Sequence, residues 1–400
     1  MNELHLKART YLKTFCQDIK ERPVGSEGNR DATRFFDQEA RKFGWDTELQ
    51  EFEAVDWEDG GARLVMKGQE FDVQVSPYSL GIQGEGTLVG VANFDQLRQL
   101  EMAGKFVLLY GEIAKEQLMP KNFKFYNPEE HQRIIRALED GKPQAILCAT
   151  GRNASLAGGV YPFPLIEDGD FDIPSVYMTE EEGEKLLPHL GNKAILHSHS
   201  VRIPGKGYNV VARKGNKGGE RVIVTAHIDA KKGTPGAIDN ATGVVILLLI
   251  ADLLSDYEGQ NLLEIVAFNG EDYYSAPGQM LYLAHNLSRY ERVKFNINID
   301  GAGFKQGKTA FSYYDLSEGL LLKVKAVVDS FPGIKEGDPW YQGDHSIFIQ
   351  NGIAAIAVSS DWFIEHIDNQ DITHTPKDNL DIVSIEKVVE IAMAINQLLR

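Results

Sequence analysis

One stretch constrains the fold more than any other, and it runs from position 221 to 254: RVIVTAHIDAKKGTPGAIDNATGVVILLLIADLL. Its first residues form a short apolar run, which predicts a buried strand that ends at His227 and Asp229. These two side chains point the same way because side chains alternate along a strand. The apolar segment 243–254 predicts a buried helix that is too short to span a membrane. The sequence therefore places His227 at a strand end and Asp239 at a helix start, at the edge where open α/β sheets bind ligands.

The chain after position 202 continues as an alternation of strands and helices. We predict strands at 208–212, 221–226, 262–268, 293–299 and 354–358, and helices at 240–257, 279–287, 318–330, 345–350 and 385–399. The opening residues add helices at 3–19 and 32–43 and a strand at 47–55. Such alternation predicts an α/β fold with a mixed, mostly parallel sheet that helices flank on both faces.

The segment from 71 to 203 has a different texture, with short β-like runs. We therefore predict a discontinuous main domain, formed by residues 1–70 and 204–400, and a β-rich inserted domain at 71–203. The runs GKFVLL (104–109), AIL (145–147) and IPSV (173–176), followed by Glu182-Gly183, resemble a protease-associated domain. That resemblance implies a module that covers an active site without catalytic residues of its own. A generic β-rich insertion is the alternative explanation of the same pattern.

Composition and charge limit the classes of partner. The chain has 43% hydrophobic and 25% charged residues, which is typical of a globular protein. Its net charge of -17 argues against nucleic acid as a partner, because phosphates attract basic patches. The two cysteines lie far apart and indicate no disulfide framework. The first residues lack the apolar core of a signal peptide and no stretch is a membrane span, so we expect a cytoplasmic protein, or a secreted one if a signal was removed.

Acidic residues and histidines recur where the predicted strands stop. They are His227 and Asp229, Glu271 and Asp272, and Asp300, joined by Asp239 at a helix start and His374 in a late loop. Each has an ordinary explanation, such as a helix cap or a turn, but together they converge on one edge of the sheet. Imidazole and carboxylate without thiolate suit zinc or a similar divalent ion. Two histidines and three aspartates are about right for two ions that share a carboxylate, which leaves Glu271 as a base.

At these residues a family resemblance becomes close. The segments HID, GAIDNATG, NGED, NIDGAG and HTPKDN, in this order, resemble the di-zinc aminopeptidases of metallopeptidase family 28, clan MH. The resemblance covers residues 205–400 and, through RPVGSEGN, extends more weakly over 1–70. It implies the zinc-exopeptidase fold and two Zn²⁺ ions per chain, for which Co²⁺ or Mn²⁺ are substitutes.

The resemblance also implies a role for each residue of the set. His227 and Asp300 would bind one zinc, Asp272 and His374 the other, and Asp239 would bridge them. Glu271 would act as general base and acid on a water that the two zincs activate. Asp229 would orient His227, and the peptide bond after Asp239 would be cis.

This chain departs from the family pattern near the last histidine. Some members carry a tyrosine immediately before it, where it stabilises the oxyanion, and this chain has Thr373. Tyr341 is the nearest substitute, and His345 resembles a family position near the site that we do not expect to bind metal. Trp362 and His366 are candidates to line a pocket. A surface or packing role is the better explanation for Tyr341, and Trp362 and His366 have an equally good explanation as loop residues.

The implied activity is that of an aminopeptidase acting on peptides with a free N-terminus. The alternatives are a related carboxypeptidase, an amino-acid deacylase, a glutaminyl cyclase or an inactive binding module. Cyclases use one metal, whereas all five expected ligands and the base are present. A carboxypeptidase needs a cationic clamp, and no arginine falls in the motif segments from His227 onward, with Arg289 and Arg292 nearest. The oligomeric state stays open, and a homodimer packed through 71–203 is one alternative.

Overall fold

The structure is a computed structural model, and it describes residues 3–19, 21–123, 127–153, 157–286 and 292–400. The strands are β1 (Asp46–Met66), β2 (Gln69–Phe71), β3 (Gln74–Val75), β4 (Ile82–Val91), β5 (Phe106–Leu109), β6 (Ala145–Thr150), β7 (Ser175–Thr179), β8 (Lys193–Gly215), β9 (Arg221–His227), β10 (Leu262–Phe268), β11 (Val293–Ile299), β12 (Thr309–Tyr314), β13 (Ile334–Glu336) and β14 (Ala355–Ser360). The helices are α1 (Glu3–Lys13), α2 (Glu27–Lys42), α3 (Phe94–Gln99), α4 (Glu129–Gly141), α5 (Glu180–Leu186), α6 (Thr242–Leu253), α7 (Pro277–Asn286), α8 (Glu318–Ser330), α9 (His345–Ile349), α10 (Asp361–Glu365) and α11 (Ile385–Leu399).

The chain divides into two compact units. The main unit comprises Met1–Ala54 and Lys206–Arg400, and the inserted unit comprises Val55–Gly205. The first division therefore lies earlier than the predicted one after residue 70. The sequence gives no signal for this first division, because β1 continues without a turn from Asp46 to Met66, past the predicted strand end at 55. The second division, after Gly205, lies close to the predicted one after residue 203.

The main unit contains a mixed sheet with the strand order β13-β12-β14-β11-β9-β10-β8. Strand β9 runs parallel to both β10 and β11, and β11 runs parallel to β14. Strand β12 is antiparallel to β14, and β8 is antiparallel to β10. The predicted mixed, mostly parallel α/β fold is confirmed. Strands β12 and β13 were not predicted, although the Thr, Phe and Tyr residues of β12 favour a strand.

Helices cover both faces of this sheet. Val224 of β9 and Ile356 of β14 belong to a large apolar core that also contains residues of α1, α2, α6, α8 and α11. Ala355 and Ala357 alternate with Ile356 and pack on the other face, against Ile349 at the end of α9. This alternation is what the two-residue period of a strand requires when both faces of a sheet are buried.

Helix α6 is apolar on every side, and residues 242–251 are all buried. A helix without a polar face is stable only inside a core. Accordingly α6 packs against β9 and β10 and also against α1, α2 and α11. It ends at Leu253, before the predicted end at 257, and the segment Ala237–Ala241, which is non-helical at Asp239 and Asn240, leads into it. The start of α6 is therefore held firmly beside the end of β9.

The inserted unit has its own apolar cores and its own set of paired strands. Strands β4, β5, β6 and β7 run parallel in that order, residues 193–198 of β8 pair antiparallel with β4, and β3 pairs antiparallel with β7. One core contains Leu109 and Phe163, and the other contains Leu64 and Phe106. The unit is thus mixed α/β, with helices α3, α4 and α5 interspersed among its strands.

Two predictions fall on residues that the structure does not describe. Residue 287, the predicted end of the helix 279–287, and Arg289 both lie outside the described ranges. Within those ranges, α7 spans Pro277–Asn286. None of the described helices is long and apolar enough to cross a lipid bilayer.

The position of α6 leads to a stability prediction. Leu248 is fully buried in α6, whereas Leu322 of α8 is 64% exposed. Leu248→Ala should lower the free energy of unfolding by about 2–5 kcal/mol, because a cavity remains in the core. Leu322→Ala should change it by less than about 0.5 kcal/mol. Urea denaturation of both variants measures this difference, and equal midpoints would contradict the placement of α6.

Candidate metal centre

The candidate ligands follow the ends of three adjacent parallel strands. His227 is the last residue of β9 and lies in register with Phe268, the last residue of β10. Glu271 and Asp272 come shortly after β10, and Asp300 comes directly after β11. Because parallel neighbours end at the same edge of a sheet, the fold brings these four side chains to one place. The predicted convergence at this edge is therefore present in the structure.

Asp239 lies between the two histidines of the site. Its Oδ1 is 3.1 Å from Nε2 of His227, and its Oδ2 is 3.1 Å from Nε2 of His374. The same nitrogen of His227 lies 3.5 Å from Asp300 Oδ1, and that of His374 lies 3.1 Å from Asp272 Oδ1. One carboxylate thus joins two ligand groups, one with His227 and Asp300 and the other with His374 and Asp272.

The backbone around Asp239 is held against the end of β11. The peptide bond between Asp239 and Asn240 is cis, as the family resemblance implied. The Asn240 side-chain amide donates to the carbonyl of Ile299 at 2.8 Å, and its Oδ1 accepts from the amide of Gly243 at 3.1 Å. Asn240 therefore fixes the start of α6 to the residue that precedes Asp300.

A side chain of its own loop positions His374. Oε1 of Gln370 accepts hydrogen bonds from the amides of Ile372 and Thr373, and Nε2 of Gln370 donates to the Thr373 hydroxyl. His374 itself has a φ of 63°, a left-handed conformation that non-glycine residues seldom adopt. The tight turn aims its ring at Asp239 and Asp272. The amide and the hydroxyl of Thr373 are both used within this turn.

Asp229 has a different set of contacts from the predicted one. Its carboxylate accepts from the amide of Gly270 at 2.9 Å and from that of Asp272 at 3.0 Å. Its separation from Nδ1 of His227 is 3.7 Å, which is too long for a hydrogen bond. Asp229 therefore acts mainly on the loop that carries Glu271 and Asp272, and the role of orienting His227 stays a prediction.

The donor set fits divalent metal ions. Both ring nitrogens of His227 and Oδ2 of Asp272 are buried without a hydrogen-bond partner, which is unusual for buried polar atoms. The ligand atoms of each group lie within 4.8 Å of one another. Zinc bonds of about 2.1 Å in a tetrahedron hold ligand atoms about 3.4 Å apart, close to the separations seen here. Side-chain exposures of 18% for His374 and 13% for Asp239 leave the site open to solvent.

The charges of the site also favour cations. Burial lowers the pKa of His227 and His374, but the surrounding carboxylates outweigh it and raise the pKa of both rings well above the usual value. Burial raises the pKa of Asp300, with Asp239 and Asp272 adding to the effect. Clustered carboxylates attract positive charge, and in this set either protons on the imidazoles or metal ions can supply it.

Glu271 lies beside the ligands with the properties of a proton-transfer group. One of its oxygens lies within 4.8 Å of ligand atoms of His227 and Asp272. Burial raises the pKa of Glu271 well above its usual value, and the charges of Asp272, Asp300 and Asp344 add to this while His227 opposes it. A carboxyl group shifted toward neutral pH is suited to exchange protons.

Tyr341 and His345, the remaining predicted site residues, belong to none of the ligand groups. Tyr341 is 63% exposed, and its ring stacks edge-on against Tyr314 at 5.6 Å. His345 is fully buried, its Nε2 is 2.8 Å from the carbonyl oxygen of Trp340, and burial lowers its pKa to about 4. His345 therefore supports the Trp340 segment, and a substrate or oxyanion role for Tyr341 or His345 stays a prediction.

Three further residues have clear positions. Trp362 and His366 stack on each other with their ring centroids 4.4 Å apart, and Trp362 also packs on Phe304. Arg292 donates to the carbonyls of Gly218 and Gly219, which precede β9. It thus lies by the amino end of β9, whereas the ligands lie at the carboxyl ends of the strands.

Sequence reasoning missed four buried residues around the site. They are Arg22, Gln279, Asp344 and Asp378. Nε2 of Gln279 donates to Oδ1 of Asp344 at 2.8 Å, and burial raises the pKa of Asp344 to about 7. Two of the four had a signal, because Arg22 lies in RPVGSEGN and Asp378 in HTPKDN, both of which carry the family resemblance.

An α/β sheet with histidines and carboxylates at its parallel strand ends can hold divalent metal ions. The model of Peptidase family M28 matches residues 209–399. Residues 209–399 therefore match this family, in agreement with the predicted resemblance, and the protease-associated-like insertion stays a prediction.

Comparison with known proteins gives the same family of folds. Aminopeptidase YwaD of Bacillus subtilis (strain 168) is 28% identical over 241 residues, which are 56% of this chain. The chain spans half the length of that relative, 50%. Solved structures of an aminopeptidase from Aneurinibacillus sp. strain AM-1 and of the zinc aminopeptidase BSAP from Bacillus subtilis have TM-scores of 0.76 and 0.73. Their identities are 20% and 19%, each likeness covers 99% of this chain, and it covers 93% and 94% of theirs.

The packing at the start of α6 gives a prediction for the site. A Cβ on Gly243 would lie 2.4 Å from Oδ1 of Asn240 and 2.7 Å from the carbonyl of Ile299, whereas a Cβ on Gly319 in α8 would meet nothing within 4 Å. Gly243→Ala should displace Asn240 and Ile299, and with them Asp239 and Asp300, so zinc affinity should fall at least about tenfold. Gly319→Ala should keep that affinity and raise the stability by up to about 1 kcal/mol. Zinc titration and thermal unfolding test both variants, and unchanged affinity in Gly243→Ala would contradict the geometry.

Proposed function

We propose that this protein is a metal-dependent aminopeptidase that hydrolyses the first peptide bond of peptides with a free N-terminus. Two zinc ions would be held by two ligand groups, His227 with Asp300 and His374 with Asp272, and Asp239 would belong to both. The observation that carries the proposal is the position of the Asp239 carboxylate, whose two oxygens each lie 3.1 Å from a different imidazole. The zinc aminopeptidase among the similar structures supports the choice of metal.

In such a site, zinc supplies Lewis acidity, which polarises a carbonyl group and lowers the pKa of water. The chain itself would supply proton transfer and position. Glu271 would take a proton from the attacking water and return it to the nitrogen of the leaving amine, which is why a carboxyl group with a raised pKa is useful here. The hydrogen bonds from Gly270 and Asp272 to Asp229 would keep the Glu271 loop in place during the transfer.

We also propose that residues of the inserted unit form a protease-associated-like module without catalytic residues. The three groups of possible metal ligands in the described parts of the chain all lie in the main unit. The inserted unit has its own apolar cores. These features suit a module that folds around its own cores and contributes no metal ligand.

Metal analysis combined with a substrate panel tests the proposed function. We expect about two zinc ions per chain by elemental analysis, and release of the N-terminal residue from aminoacyl-anilides that a chelator abolishes and added zinc restores. Two ions without anilide turnover would favour a carboxypeptidase or a deacylase, which N-blocked peptides and acylated amino acids would reveal. A chain that binds no metal and stays inert after addition of zinc or cobalt would refute the enzymatic proposal.

The proton-transfer role of Glu271 has its own test. Glu271→Gln keeps the size of the side chain but removes the basic carboxylate, so kcat should fall by about 10²–10⁴-fold. The bound zinc should stay at the wild-type level, because Glu271 is not among the proposed ligands. Glu258→Gln, the same change at an exposed position, is the matched control and should leave kcat unchanged. Near wild-type turnover by Glu271→Gln would remove this residue from the mechanism.

A further inference from the structure

We infer that Asp378 and Arg22 are positioning residues that hold the backbone of residues 235–239 from two sides, so that the Asp239 carboxylate can serve both metal ions. This inference rests on the proposed two-metal site and assigns a task to two residues outside the ligand set. We call residues 235–239 the bridging segment. Both residues act through hydrogen bonds to its peptide groups.

Asp378 holds the N–H groups of the bridging segment. Its side chain is fully buried, its Oδ1 accepts from the amide of Ile238 at 2.7 Å, and its Oδ2 accepts from the amide of Asp239 at 3.0 Å. Its backbone carbonyl accepts from the amide of Ala237 at 3.2 Å. Asp378 lies four positions after His374 in the same loop, so these bonds couple the loop of His374 to the shared ligand.

Arg22 holds the carbonyl groups of the same segment. Its side chain is 2% exposed, and its guanidinium donates to Pro235 O and Gly236 O at 2.8 Å each. Its Nε donates to Ile228 O at 3.0 Å, next to His227. The planar guanidinium presents its donors in a fixed fork, which an ammonium group cannot reproduce. Arg22 therefore links the bridging segment to the end of β9.

Gly236 shows how closely Arg22 approaches. Its φ is 57°, and a Cβ there would lie 2.8 Å from Nη2 of Arg22 and 2.6 Å from the carbonyl oxygen of Asp239. Glycine at this position lets the backbone of the bridging segment contact the guanidinium, because a side chain there would collide with it. Buried peptide groups that lost these partners would remain unsatisfied, so the segment would move to find others. Such a movement would displace Asp239.

The primary test is the zinc affinity of Asp378→Asn. The amide has one acceptor oxygen, so it can accept only one of the two N–H groups and turns its NH₂ toward the other. Because the displaced ligand is shared, both binding steps should weaken by about 10–100-fold in competition with a chromophoric chelator. The visible absorption spectrum of the Co²⁺-loaded protein should change as well, because it reports the ligand geometry directly.

The inserted unit offers a matched control. Asp168 is 4% exposed, and its carboxylate also accepts two backbone N–H groups, from Lys121 and Asp170, both at 2.8 Å. Asp168→Asn therefore removes the same kind of bond and should lower the unfolding temperature. It should leave both the zinc affinity and the Co²⁺ spectrum unchanged. A purely structural role for Asp378 would give the same result as this control.

Arg22→Lys is the second variant. It keeps the positive charge but removes the planar guanidinium with its fixed set of donors. We expect both zinc-binding steps to weaken at least about tenfold, and this variant decides the question if Asp378→Asn does not fold. Wild-type affinity and spectrum in a folded variant would overturn the inference while the wild-type protein still binds two ions, which leaves the proposed function standing. A wild-type protein that binds no zinc would instead overturn the proposed function, and this inference with it.

Discussion

The carboxylate of Asp239 is the constraint on which the rest of the site depends. Each of its oxygens lies 3.1 Å from the imidazole nitrogen of a different histidine, so a shift of the backbone would alter both ligand groups at once. The site around it is crowded with other acidic groups, whose mutual repulsion opposes folding unless cations compensate it. Bound cations would stabilise such a site, because they would offset the repulsion between its carboxylates.

The sheet places the ligands approximately, and side chains from neighbouring loops fix them. Asp229, which follows β9, holds the loop after β10, and Asn240 holds the last residue of β11. Asp378 and Arg22 hold the bridging segment in the same way. In each case a buried polar side chain forms hydrogen bonds with backbone groups at or next to a candidate ligand. Sites held to within about 0.5 Å depend on such support, because loops alone are less exact than strands.

The two units of the chain bury separate apolar cores. The candidate ligands of the described residues all lie in the main unit, around a core that α6 fills. The inserted unit has separate cores, which contain residues such as Phe163 and Phe106. Because each unit buries its own apolar surface, substitutions within the inserted unit can change its surface without repacking the core under the ligands.

The sequence by itself determined the strand alternation, the edge of the sheet that carries the site and the residue types of the donor set. It did so because hydrophobic periodicity is local and because parallel strands end at a common edge. The assignment of ligands to two groups came from the family resemblance. Two of the three clusters in the described residues have these members, and the third joins His227 with Glu271 and Asp272. The tertiary structure alone decided the contacts of Arg22 and Asp378 with the bridging segment, since their partners lie 214 and 140 residues away. It also decided the burial of His345 and the division between the compact units at Val55, because a boundary inside an unbroken strand leaves no turn signal in the sequence.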